Sequence, residues 1–238
     1  MVPGLLASWF AMGGKIAPAT EYLERARQRD PAGTLTLAAA LFVNPDQPSP
    51  ATLRALQEAR PVHWLTRVSM GRALSGAGRA EEAERSYRSA LELAPEQAVP
   101  HRLLAQFLGD HGRRPEANAE YRVALELDRG DVDTRLQLSV LLDHSGATRD
   151  AIQVLEGLDP PRRTAELHDQ LGRFYDAVDR PELALREYRA AVGAGRTGGA
   201  LELRLATVLQ RLGKEDEARL HLSRAVSHVG EPRRSPSR

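Results

Sequence analysis

A glycine or alanine recurs along this chain at a spacing of 34 residues, and two further small residues follow it at fixed offsets. Gly71, Ala83 and Ala90 return one period later as Ala105, Ala117 and Ala124. Gly172, Ala184 and Ala191 return as Ala206, Ala218 and Ala225. A period in this range means stacked supersecondary units, because each unit can bury its apolar side only against its neighbours. The 238 residues therefore extend an array rather than enlarge a single core.

The unit is clearest from Trp64 to Gln97. Trp64, Leu65, Val68 and Leu74 lie at helical spacing around Gly71, and Gly76 and Gly78 then interrupt the helix. A second helix is expected from Ala80. Glu81, Glu82 and Glu84 sit near its positive end, Ala83, Tyr87, Ala90, Leu91 and Leu93 follow along it, and Pro95 stops it. Small residues at 71, 83 and 90 allow two antiparallel helices to approach closely. The same order runs from Ala98 to Asp131, from Val132 to Thr164, from Ala165 to Gly198 and from Gly199 to Pro232. The third copy is one residue short, and Leu158-Asp-Pro-Pro161 cuts its second helix early.

Small residue, hydrophobe, turn glycine, alanine, aromatic, alanine and proline in this order resemble the tetratricopeptide repeat. The resemblance implies an all-α fold, a right-handed superhelical solenoid of antiparallel helix pairs. It covers residues 64–232 as five regular units. Residues 1–63 read as two degenerate units, the first phased by Leu6, Ala7, Phe10, Gly14, Ala19, Leu23, Ala26 and Pro31, and residues 233–238 read as a disordered basic tail.

Charge balance points to no particular polyanion, since the formal net charge is +1. There is no cysteine, which excludes disulfides, thiolate zinc sites and cysteine nucleophiles. Lys15 and Lys214 are the only lysines, an arginine bias that suggests a GC-rich bacterial genome. Met1 to Met12 is apolar, but its first basic residue, Lys15, follows the run, whereas a secretory signal carries its charge first. The run also falls short of the ~18–20 residues that span a bilayer. A cytoplasmic location without a transmembrane segment is the expectation, with the periplasm as the alternative if the true start lies upstream.

By the same resemblance, the first helix of each pair lines a concave groove through the second, fifth, sixth, ninth, twelfth and thirteenth positions of the unit. The candidate partner contacts are then Arg72, Arg102, Gln106, Asp133, Asp143, Glu166, Asp169, Arg173, Asp176, Arg204 and Arg211. Along the array the lining passes from arginine with apolar residues, to acidic, to basic, which suits an extended peptide with a basic stretch over the acids. Relatives that clamp a chaperone's C-terminal carboxylate need converging cations and amides. Here Arg102 and Gln106 are followed by Gln137, then by Glu166 and Gln170, and Glu166 would repel the carboxylate.

Gly193-Ala-Gly195-Arg-Thr-Gly198 satisfies a dinucleotide-loop pattern in letters only, because a strand should precede it and here a helix does. His101 and His168 share the unit position where the family packs a tryptophan, which favours a half-buried structural role. No histidines show zinc-ligand spacing, and no nucleophile or acid–base constellation stands out, so no metal, no cofactor and no catalysis are expected. The two ends are apolar, with Trp9 and Phe10 at one and Val226 and Val229 at the other, and they are candidate contacts for a partner or for self-association. The sequence thus reads as a non-enzymatic scaffold that binds an extended peptide or helix of a partner protein, within a larger bacterial assembly. The alternatives are a non-catalytic subunit of an enzyme complex and an RNA-binding helical repeat. The scarcity of aromatics for base stacking disfavours nucleic acid.

Overall fold

The computed structural model describes residues 16–30, 33, 50–58 and 63–230. They form helices α1 (Ile16–Arg29), α2 (Pro50–Glu58), α3 (Trp64–Gly76), α4 (Ala80–Leu93), α5 (Ala98–Asp110), α6 (Arg114–Leu127), α7 (Val132–Asp143), α8 (Thr148–Glu156), α9 (Ala165–Ala177), α10 (Pro181–Gly193), α11 (Gly199–Arg211) and α12 (Glu215–Gly230). A short 3-10 turn, Pro160–Arg162, follows α8. The fold is all-α and built from antiparallel helix pairs. It comprises two compact units, Met1–Asp128 and Arg129–Arg238. In the first, α3 packs on α4 and α5 on α6; in the second, α7 packs on α8, α9 on α10 and α11 on α12. The basic tail at 233–238 and most of residues 1–63 lie outside the described residues.

One backbone position makes each pair turn back on itself. Gly78, Gly112, Gly146 and Gly213 hold φ between 71° and 79°, which costs glycine little because it has no Cβ. The residue after each donates its N–H five residues back, as Arg79 does to Leu74 and Lys214 to Leu209, both at 2.9 Å. This closes the free carbonyls of the preceding helix. In the fourth regular copy Asp179 takes the same place with φ 58°, a conformation its short polar side chain tolerates better than most.

Small residues fill the seam between paired helices, and Ala83, Ala90, Ala117, Ala124, Ala184 and Ala191 are fully buried. Beside them the side chain following the seam alanine is large: Tyr87, Tyr121, Leu155 and Tyr188 are all buried. A Cβ on Gly71 would come within 2.8 Å of the Tyr87 ring, so this glycine is what lets the ring lie against α3.

Helix α8 has 9 residues where α4 and α6 have 14. Arginines serve the carbonyls around its early end: Arg163 donates to Glu156 O at 2.9 Å and Leu158 O at 3.0 Å, and Arg135 donates to Val154 O at 2.6 Å. Cations at a helix C-terminus also face its negative dipole end.

Three of the five regular pairs carry a polar lock in the slot between their helices. His101 meets Glu120 at 2.7 Å, His168 meets Glu187 at 2.8 Å and His221 meets Glu202 at 2.6 Å, always 19 residues apart. The last pair is inverted, with the carboxylate on the first helix and the imidazole on the second. His101 and His168 are half-buried, as their place in the sequence suggested, and a satisfied hydrogen bond offsets the cost of keeping them there.

Candidate functional site

In the unit Met1–Asp128, the faces of α3 and α5 enclose a recess of about 200 Å³, lined by Arg72, Ser75, Gly76, Tyr87, Leu103, Gln106, Phe107 and Asp110. Its floor is aromatic, with the Tyr87 and Phe107 rings 5.5 Å apart. Gln106 and Asp110 stand exposed at its edge, and Arg72 is half-buried. Burial holds the Arg72 guanidinium below its ordinary value; Tyr87 opposes that shift and the nearby Arg102 charge adds to it. Burial raises the Tyr87 hydroxyl well above its usual range, so at neutral pH it is an uncharged donor and acceptor. A guanidinium, a carboxamide, a phenol and a carboxylate over an aromatic floor can hold peptide carbonyls, amides and one charged side chain.

The corresponding faces of α9 and α11, in the unit Arg129–Arg238, are arranged differently. Asp169 is buried and accepts from Arg204 at 2.5 Å, with Arg196 at 3.1 Å on its other oxygen. Arg211 pairs with Asp176 and also reaches Asp179 at 2.5 Å. The charges on this face satisfy one another across successive first helices, 32 to 35 residues apart in sequence.

The α3–α4 pair matches a known family by sequence: the tetratricopeptide repeat family matches residues 66–97. The chain carries a tetratricopeptide repeat. Its structure is similar to MamA (residues 41 to the end) from Desulfovibrio magneticus RS-1, with 17% identity and a TM-score of 0.61 over 70% of this chain and 94% of that one. Pseudomonas aeruginosa pilF gives 22% identity and a TM-score of 0.59 over 71% and 78%. YrrB, a tetratricopeptide-repeat protein with an unusual peptide-binding site, gives 17% and 0.59 over 73% and 90%. No curated protein matches the sequence. Repeats of this family generally mediate protein–protein interactions and are typically non-catalytic.

Within the repeats, the groove positions inferred from the family divide into two kinds. The ninth, twelfth and thirteenth are open to solvent or partly so, as at Arg72, Gln106, Asp143, Arg173, Asp176 and Arg211. Two candidates at the fifth position lie deeper, Arg102 at 7% and Asp169 at 4% exposed, whereas Arg204 at the sixth is partly open. Arg102 and Asp169 therefore support the lining from beneath. Asp133 and Glu166, at the second position, are exposed, and Asp143 accepts from Thr148 Oγ1 at 2.7 Å. Arg173 is exposed and donates to Gln170.

The structure brings together Arg72, Gln106 and Asp110 in one unit, and Asp169 with Arg204 and Asp176 with Arg211 in the other. Phe107, Arg196 and Asp179 were not among the residues singled out from sequence, whereas Asp110 falls on the thirteenth groove position and Tyr87 was read as a packing residue of the second helix. Asp179 could have been found as the one non-glycine at the repeated turn position. Val226 is exposed, while Trp9, Phe10 and the Val229 side chain lie outside what the structure describes. The dinucleotide-like Gly193–Gly198 stretch joins α10 to α11, with helix on both sides. Among the described residues, no group of three or more His, Asp or Glu could hold a metal ion, and no helix is long and apolar enough to cross a membrane.

Proposed function

We propose that the chain is a non-catalytic adaptor that holds an extended peptide of a partner protein against the α3–α5 face, within a larger bacterial assembly. The observation that carries this reading is the recess over Tyr87 and Phe107, where the half-buried Arg72 stands beside exposed Gln106 and Asp110. Arg72 serves as donor to a carboxylate or to peptide carbonyls, Gln106 reads the peptide backbone, and Asp110 takes an N–H or a basic side chain. The likeness to YrrB, itself a peptide binder, supports this reading at the level of fold. The bacterial setting rests on the arginine bias and on the bacterial structures of similar shape.

The acidic candidates divide under this reading. Asp133, Asp143 and Glu166 remain accessible acceptors for a basic segment, whereas Asp169 and Asp176 are already neutralised by arginines. Selection of binding peptides from a displayed random library on the full chain tests the proposal. The expected result is a set of peptides whose binding is lost in Arg72→Ala and Gln106→Ala. Peptides that bind these variants as well as the unmodified chain would place the contact elsewhere.

A further inference from the structure

The slot between paired helices is filled in four of the five regular repeats. Three hold the imidazole–carboxylate locks already described. In the fourth, Arg135 donates to the Val154 carbonyl at 2.6 Å, again 19 residues away. In the repeat Trp64–Gln97 the equivalent residues are Arg67 and Ser86. A cation is present there, and the residue opposite is a serine too short to reach it as an acceptor. Ser86 Oγ instead donates to Glu82 O at 2.9 Å. Arg67 makes only a weak contact from one terminal nitrogen to Met70 Sδ at 3.7 Å, and its Nε is buried with no hydrogen-bond partner.

A recess of about 340 Å³ opens at this place, lined by Gln57, Arg67, Met70, Leu74, Glu82, Arg85, Ser86 and Ser89. It lies on the other side of α3 from Arg72, since residues 67, 70 and 74 share one helical face and 72, 75 and 76 another. Its one acid, Glu82, is held by Arg79 through two hydrogen bonds of 2.7 Å. Arg85 Nε donates to the Glu81 carbonyl at 3.4 Å and its charge also acts on Glu82, so the cation of the lining in excess is Arg67. An unsatisfied buried donor carries a desolvation cost that an incoming acceptor removes.

We infer that this recess is a carboxylate-binding site that takes an acidic side chain of a partner protein. The sister repeats indicate the chemistry, because the same slot accepts Glu120, Glu187 and Glu202 opposite a nitrogen donor. Arg67 offers Nε and a terminal nitrogen side by side, the fork that grips a carboxylate through two bonds. Ser86 and Ser89 can add hydroxyl donors, and Met70 and Leu74 give the acid's methylenes an apolar floor. The site is separate from the α3–α5 groove and does not depend on it.

The test is a titration of the ¹⁵N-labelled full chain with an amidated peptide of alternating glycine and glutamate, with its glutamine counterpart, and with inorganic phosphate. The glutamate peptide is expected to shift the Arg67 Nε–H resonance and the glutamine peptide to leave it in place. Arg67→Met should weaken the glutamate peptide by about tenfold or more, the loss of one charged hydrogen-bonded contact. Ser86→Glu supplies the missing carboxylate from within. It should block the peptide to the same extent while raising the thermal midpoint, which shows that the variant folds. Arg72→Ala should leave the titration unchanged, separating this site from the groove. Equal response to both peptides, response to phosphate alone, no response at saturating glutamate peptide, or unimpaired binding by Ser86→Glu would each overturn the assignment.

Discussion

The α3–α5 face and the α9–α11 face are built from the same repeat positions and differ in what lines them. In the first, Arg72 borders an open recess with Gln106 and Asp110. In the second, Asp169 and Asp176 are consumed by Arg204, Arg196 and Arg211. The difference lies one repeat away: Asp169 and Asp176 of α9 each meet an arginine 35 residues later, and the ninth position of the repeat after Arg72 holds an uncharged amide, Gln106. A charge on the lining of such an array is therefore a candidate contact only once the next repeat has been inspected for its complement.

The largest expected effect separates structure from binding. Asp169→Ala leaves Arg204 and Arg196 without their shared acceptor beside a buried site, and should cost about 2–3 kcal/mol. Urea unfolding followed by circular dichroism would read this as a lower midpoint; an unchanged midpoint would show that the charged face contributes nothing to folding. Arg72→Ala should do the reverse. It should lower the affinity for a selected peptide by about tenfold, with a smaller loss of stability than Asp169→Ala.

A smaller effect depends on pH. Tyr175 donates to Glu156, and burial followed by this hydrogen bond raises its hydroxyl from 10.0 to about 12. The folded state thus keeps a proton that the unfolded chain gives up first. The contribution is full below pH 10 and is lost as pH rises toward 12. Tyr175→Phe should flatten the alkaline fall in stability between these values, and a fall of the same steepness in the variant would assign it to other groups. Smallest of all, Arg211→Ala removes two partly exposed ion pairs, to Asp176 and Asp179, and should cost about 0.5–1 kcal/mol with peptide affinity intact.

Much of the fold is legible in the sequence because its cues are local. Helix periodicity, turn glycines and small seam residues all act within one repeat, so helix order from Trp64 onward follows from spacing alone. The site is less legible because its contacts cross repeats. Asp169 and Arg204 look like separate acidic and basic regions when read along the chain, and only the stacking of α11 on α9 makes them a pair. Burial at the fifth position, which withdraws Arg102 and Asp169 from the lining, also depends on how successive helices approach. The imidazole–carboxylate locks left a signal that was readable, a histidine and a glutamate 19 residues apart three times, but the inverted order of Glu202 and His221 hides one of them.

The most direct test of the contrast is one peptide, selected on the full chain, titrated by calorimetry into Arg72→Ala and Arg204→Ala side by side. The account predicts that Arg72→Ala loses about tenfold or more in affinity and Arg204→Ala binds like the unmodified chain. Loss of binding in Arg204→Ala with Arg72→Ala unaffected would contradict it.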